Sequence, residues 1–241
     1  ERIVSAIAEA VDIPVTVKLR RGMRDGSRDC LEVGPRLVVA GASALTLHPR
    51  SAKQMYTGAA DHALTAELVS LVDVPVIARG DIVSRAVAED VLERTGAAAV
   101  MVGRAAQGNP WALEEIVDGE GRQPPREEVV AELVVFLREA VRGLGERRAS
   151  GFLKKFYGWY LGHGRFPREF KQQLVVLDSI DEVEARLFAA APGAYVGAMA
   201  LASALLAARA RRLRTLVASV GGLALAAYVL TSPDLLGGSW V

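Results

Sequence analysis

Cysteine is almost missing from these 241 residues: there is one, Cys30, so no internal disulfide framework can form. That usage fits a reducing compartment, and a cytoplasmic location is expected. Net charge is nearly missing as well, with 29 Lys and Arg against 28 Asp and Glu, a balance of +1. No global field therefore draws the chain toward nucleic acid, and any such affinity must be local. The opening also lacks the features of a secretory signal. Residues 1–11 read as a helix already in register, with Ile3, Ile7 and Val11 on one face, as expected of a chain that continues a longer one.

What is present is an alternation. After the first helix, residues 13–20 (IPVTVKLR) read as a strand, 22–27 as a polar loop, and 29–40 as a helix that Asp29 caps and Gly41 stops. A strand over 44–48, a loop to 60, a helix over 61–72 and a strand over 74–78 follow. Gly80-Asp81 forms a turn, Ser84 caps a helix to 94, and 98–102 is a short apolar strand. A helix followed by four strand–helix units, with crossovers long enough for parallel pairing, is an α/β pattern.

The stretch 98–111, AAVMVGRAAQGNPW, is the centre of the functional reading. A strand buried on both faces ends at Gly103, where the absence of a Cβ lets a ligand approach the backbone. The amides of Gly103, Arg104 and Ala105 can turn outward as an anion nest. Pro110 is placed to open the next helix over 111–117. The other strand ends carry chemistry too: Lys18 near the first, His48 at the second, Gly80-Asp81 past the third. In parallel α/β folds, ligands bind outside the carboxyl ends of the strands. Each residue has a plainer account: Lys18 as a snorkelling lysine, His48 as a satisfied imidazole, Asp81 as a turn cap, Gly103-Arg104 as a tight turn with a surface arginine. Cys30 reads as a small apolar residue at a helix start.

The segments VTVKLRRG, LTLHPR, VIARGDI and VMVGRAAQGNPW, in this order, resemble the second half of the catalytic domain of bacterial tRNA-dihydrouridine synthases, closest to the B-type subfamily. The likeness covers residues 1–117 and continues more weakly to about 187. It implies the C-terminal half of an FMN-binding TIM (β/α)8 barrel over 1–118, in a protein that reduces specific uridines of tRNA to 5,6-dihydrouridine with NADPH as reductant. It also implies flavin-site roles: Lys18 beside the isoalloxazine ring, where a cation offsets the charge of the reduced ring, His48 in the same site, Gly80 and Asp81 in an Asn-Gly-Asp-like turn, and Gly103-Arg104 at the phosphate. Arg79 departs from the pattern by standing where the family has asparagine, and is expected as the seventh flavin-site residue, a long cation able to reach the phosphate. The family's proton-donating cysteine lies in the first half of the barrel, upstream of Glu1, and Cys30 is not that residue. The resemblance implies roughly another hundred residues before Glu1. These 241 residues alone are expected neither to hold FMN tightly nor to turn over.

After a Gly/Pro-containing linker over 119–125, residues 126–188 are expected to form a small all-α domain, with an amphipathic helix over 127–141 through Val130, Leu133, Val134 and Leu137. From Arg142 to Lys171 there are eight basic residues against two acidic ones, a local balance of +6. Arg147, Arg148, Lys154, Lys155, Arg165, Arg168 and Lys171 are the candidate RNA contacts. Phe152, Phe156, Tyr157, Trp159 and Tyr160 interleave with them, as stacking platforms or, at helical spacing, as core. The resemblance implies a C-terminal helical tRNA-binding domain here.

The family does not account for 189–241, read as an apolar helical tail. Residues 189–208 and 215–233 carry no charge and flank Arg209, Arg211, Arg212 and Arg214. Each run approaches the roughly 20 apolar residues that span a bilayer, so membrane association of the tail is an expectation. A hairpin with its arginines inside conflicts with a tRNA-binding part on the same side, and Ala and Gly keep both runs weakly hydrophobic, so the tail can instead lie along the membrane surface, pack its helices internally or be of different origin. Two other functions fit the same residues: an FMN-barrel oxidoreductase acting on a small molecule, and a non-catalytic half-barrel that serves interaction.

Overall fold

The computed structural model describes residues 1–119, 121–211 and 229–231, the last three and 205–211 as backbone only. Contacts divide the chain into two compact units. One holds Glu1–Ala106 with residues 112–119 and the strand Val229–Thr231, and the other holds Gln107–Trp111 with residues 121–211.

In the first unit, strands β1 (Thr16–Arg20), β2 (Ala44–His48), β3 (Val76–Arg79) and β4 (Ala99–Met101) pair in parallel in that order. Helices α1 (Arg2–Ala10), α2 (Asp29–Val39), α3 (His62–Leu71), α4 (Arg85–Thr95) and α5 (Trp111–Asp118) fill the crossovers and follow β4. The register sorts the side chains by period two. Leu45, Leu47 and Val76 face α1–α3 in one core, with Val17 and Leu19 packed on it, and Ala78 and Val100 face α4 and α5 in another. The opposite sheet face carries Lys18, Arg20, Thr46, His48 and Arg79. One apolar face and one polar face is not the pattern of a doubly wound sheet, which buries both under helices.

Local signals explain most boundaries. Ser84 caps α4 by accepting from the Val87 N–H at 3.4 Å, Gly96 ends it in the left-handed conformation, and Arg85–Glu89 and Arg94–Asp90 brace it one turn apart. Asp29 does not cap α2 as expected. The helix takes Asp29 as its first residue, fixed by a 3.1 Å bond from the Cys30 N–H to the Arg21 carbonyl. The expected strand over 13–20 starts only at Thr16, because Ile13 stands in solvent, 72% exposed, with no core to enter.

The second unit is helical: α6 (Arg126–Leu144), α7 (Glu146–His163), α8 (Arg168–Val175), α9 (Ile180–Ala190) and α10 (Ala194–Arg211). Val129, Val130, Leu133, Val134 and Leu137 bury one side of α6 against Leu153, Phe156, Tyr157 and Tyr160 of α7, and Leu174, Val183, Leu187, Ala194 and Ala198 complete the core. Gln107–Trp111, expected with the first unit, belongs here: Trp111 packs in this core and its indole N–H donates to Glu128 at 2.5 Å.

The tail keeps its expected helical character in the first run and departs from it in the second. The first uncharged run is broken at Ala191, where α9 closes on a 3.1 Å bond to the Leu187 carbonyl, and its remainder forms α10 against α6, with Gly197 close to Ala131. Among the described residues, no helix is long and apolar enough to cross a membrane. Of the second run, Val229–Thr231 is a strand, β5, paired antiparallel with β4 rather than a helix. A β-branched pair around leucine suits the edge that β4 offers. Arg212, Arg214 and the rest of that run lie outside the described residues.

Candidate active site at the strand ends

The ends of β2, β3 and β4 converge on a pocket of about 380 Å³ lined by His48, Arg50, Tyr56, Arg79, Gly80, Asp81, Gly103, Arg104 and their neighbours. Six of the seven expected flavin-site residues are thus brought together. The seventh, Lys18, is not in that lining; it lies on the same sheet face, opposite Thr46 in the β1–β2 register. Burial, then Arg79 and Arg20, hold its ammonium below the ordinary lysine value.

Asp81 ties the three loops together. Its Oδ2 accepts from Arg50 Nη2 at 2.5 Å and from the Ala60 N–H at 2.9 Å, both past β2, and its Oδ1 accepts from Arg104 Nη2 at 3.1 Å, past β4. Burial pushes its carboxyl up, but the bonds from Arg50 and Ala60 and the charges of Arg50 and Arg104 outweigh that, and the net direction is down. Asp81 sits at φ +57, a left-handed position that aspartate tolerates. Gly80 before it has φ +124, and a Cβ there would meet Ala60 Cβ at 2.8 Å. Glycine is required at this position.

Arg50 is the residue that reading the sequence missed. It is 1% exposed, bonded through Nε to the Thr57 carbonyl at 3.3 Å and through Nη2 to the Gly58 carbonyl at 2.6 Å. Its Nη1 is buried without a partner, as is Nε of Arg79. His62 was missed too: its Nε2–H donates to the Gly80 carbonyl at 3.0 Å and steadies the turn from behind. The only signal for Arg50 was its place in LTLHPR, two residues past a functional strand end. For Arg20 the signal was the two-residue step from Lys18.

His48 is 1% exposed, and its Nδ1 lies 2.9 Å from Arg79 Nη1. Burial, then the positive charges of Arg79, Arg20, Lys18 and Arg50, push it down to about 3. It is therefore a neutral imidazole near pH 7, not an acid in waiting. Arg104 stacks its guanidinium over Tyr56 at 4.8 Å. Among the described residues the lining carries three guanidiniums against one carboxylate, so the pocket is electropositive. Cys30 is buried away from this chemistry and burial pushes its thiol up, which leaves it a packing residue.

The expected RNA contacts lie in the helical unit. Arg147, Arg148 and Lys155 project from one exposed side of α7 together with Gly151, Gly158 and Trp159, and Trp159 is 40% exposed. Lys155 lies over the rings of Phe152 and Phe156 at 4.4 and 5.1 Å. Lys154 is instead tied to Asp178 at 2.7 Å. Arg165 and Arg168 are exposed at the turn into α8 and at its first residue, and Lys171 is half-buried in α8. Phe156, Tyr157 and Tyr160 belong to the core, so of this cluster Trp159 is the aromatic left for a partner.

Comparison with known proteins decides the family. The sequence profile of the dihydrouridine synthases matches residues 1–191. The chain belongs to the dihydrouridine synthase family. It is 35% identical over 184 residues to tRNA-dihydrouridine synthase B of Vibrio vulnificus, covering 74% of this chain and 57% of that protein. It is 38% identical over 184 residues to the protein of that name from Pseudomonas aeruginosa, covering 74% and 55%. For the Klebsiella pneumoniae protein of the same name the figures are 35% over 189 residues, 76% and 59%. The chain thus spans 55–59% of the length of these dihydrouridine synthase relatives, and the family match over residues 1–191 contains every pocket residue described above.

Proposed function

We propose that this chain supplies the phosphate-holding side of an FMN site, within part of a (β/α)8 barrel, in a protein that reduces specific uridines of tRNA to 5,6-dihydrouridine with NADPH. The observation that carries the reading is the pair of buried guanidinium N–H groups without acceptors, Arg50 Nη1 and Arg79 Nε, on a cationic pocket at the strand ends. An unsatisfied buried donor costs about 1–3 kcal/mol, which an anionic ligand oxygen removes. The pocket also falls in the size range of small-molecule sites and presents Gly80 and Gly103 to the ligand in place of side chains.

FMN, when bound, supplies the hydride chemistry. The chain's own residues do the rest. Arg50 and Arg104 are held by Asp81 so that they cannot swing into the pocket as free cations. Gly103 and Arg104 present backbone and charge together to the phosphate. Lys18 places an ammonium on the same face as His48 and Arg79, toward the ring. The helical unit, with Arg147, Arg148, Lys155 and Trp159 on one side of α7 and Arg165, Arg168, Lys171 and Lys154 near it in sequence, is the proposed tRNA surface.

The anion site is tested by calorimetric titration of the chain with FMN and with riboflavin, which lacks the phosphate. FMN is expected to bind at least about tenfold more tightly, the effect of one or two charge-assisted hydrogen bonds, and Arg104→Ala is expected to erase most of the difference. Equal affinities for the two ligands would remove the reading.

A further inference from the structure

The contact between Arg79 and His48 has a chemical consequence that neither residue type predicts alone. A guanidinium has hydrogen-bond donors and no acceptor. With Arg79 Nη1 2.9 Å from His48 Nδ1, that ring nitrogen must be the acceptor, and the ring proton must therefore reside on Nε2. The Cδ2–Nε2 edge of the ring lies against Gly80, 3.2 and 3.6 Å from where a Cβ would stand, in the lining of the pocket. No group among the described residues is hydrogen-bonded to Nε2.

We propose that Arg79 is a positioning residue that locks His48 in its Nε2–H tautomer, making the imidazole an obligate hydrogen-bond donor to a carbonyl oxygen or unprotonated ring nitrogen of a heteroaromatic ligand. The tautomer follows from this chain's own geometry; only the identity of the acceptor rests on the reading of the pocket as an FMN site. The arrangement excludes two alternatives at once. His48 cannot accept from a ligand N–H at Nε2, and it cannot tautomerise without setting an Nδ1–H, or turn over without setting a Cδ2–H, against Arg79. The charges that act most strongly on the ring are positive: Arg79 on β3, Lys18 and Arg20 on β1, and Arg50 past β2. The carboxylate in the same lining, Asp81, is tied to Arg50, the Ala60 N–H and Arg104.

Three histidines make the test tractable. Long-range proton–nitrogen NMR of the 241-residue chain, labelled at histidine, reads the protonation of each ring nitrogen. His48 is expected to show one bare Nδ1 and one protonated Nε2, unchanged across about pH 5 to 8. In Arg79→Met the His48 signals are expected to collapse toward a mixture of tautomers. Arg79→Lys, whose ammonium donates and like the guanidinium has no acceptor, is expected to keep the single tautomer. A protonated Nδ1 or a mixture in the wild-type protein overturns the proposal. So does an unaltered single tautomer in Arg79→Met. Should Arg79→Met not fold, the wild-type and Arg79→Lys spectra decide it: loss of the tautomer in Arg79→Lys counts against the lock. The expected tautomer in a wild-type protein that binds FMN and riboflavin equally would retire the FMN reading and leave this one standing.

Discussion

Arg50 shows how one buried charge organises the site. Its guanidinium joins two carbonyls of the loop after β2 to the Asp81 carboxylate after β3, and Arg104 then brings in the loop after β4. Breaking a buried pair costs more than the pair is worth, because the partner is left without its counter-charge. Asp81 is 36% exposed and keeps Arg104 and the Ala60 N–H, so Arg50→Met is expected to cost about 1–3 kcal/mol, the range for acceptors left without their donor, read as a reduced urea midpoint. A loss under about 0.5 kcal/mol, the range of ordinary surface substitutions, would mean that the tie is not structural. His48 gives a pH dependence with a definite sign. It is held at about 3 against an ordinary 6.5, so the unfolded chain binds its proton first. Its contribution to stability is complete above 6.5 and is lost as pH falls from there toward 3. His62 and His163 shift in the same direction, so the measurement is a difference. Across pH 4.5–6, His48→Gln is expected to flatten the stability–pH slope by up to about 1.4 kcal/mol per pH unit relative to wild type. Parallel curves would show that His48 is not held neutral by the fold.

At the scale of the element, α7 is informative because part of it contradicts good helix chemistry. Gly151 and Gly158 lie mid-helix, exposed, with nothing within 4 Å of where a Cβ would stand. Each is expected to cost the helix about 0.5–1 kcal/mol relative to alanine. Gly151→Ala and Gly158→Ala should therefore raise the thermal midpoint, whereas Gly108→Ala should lower it, since Gly108 has φ +64 and its Cβ would meet Trp159 Cβ and the Tyr160 nitrogen at 2.7 Å. A drop in both α7 variants would show that the glycines serve the fold itself. The same side of α7 carries the proposed RNA contacts. Replacing Arg147, Arg148, Lys154 and Lys155 by alanine should reduce the salt slope of tRNA binding by about two, rather than by the three or so that four free cations would give, because Lys154 is already paired with Asp178. An unchanged slope would take α7 out of the interface.

On the scale of the whole molecule, the alternation of strands and helices was legible because each element carries its own punctuation, such as Ser84 and Gly96 around α4 or Gly103 after β4. The convergence of strand ends was legible for the same reason, since parallel strands with helical crossovers must all point one way. What could not be read was set by pairs distant in sequence. Arg50 meets Asp81 31 residues later, and Arg79 meets His48 across the same separation, so nothing local to either marks it as part of the site. The aromatics of α7 were ambiguous because helical spacing suits a core and a stacking platform alike, and only packing against α6 resolves them. The tail misled through composition: Ala and Gly runs suit a weak membrane span and also a helix packed closely on its neighbour, as α10 is on α6. The polar face of the sheet, with Lys18, Arg20, His48 and Arg79 in adjacent strands, is the feature that ties family, pocket and proposed cofactor together.

The most direct test follows the backbone amides of the chain by NMR during titration with FMN. The amides of Gly80, Asp81, Gly103, Arg104 and Ala105 are expected to shift together and saturably, and to move far less with riboflavin. Shifts confined to other regions, or equal shifts with both ligands, would contradict an anion held at the ends of β3 and β4.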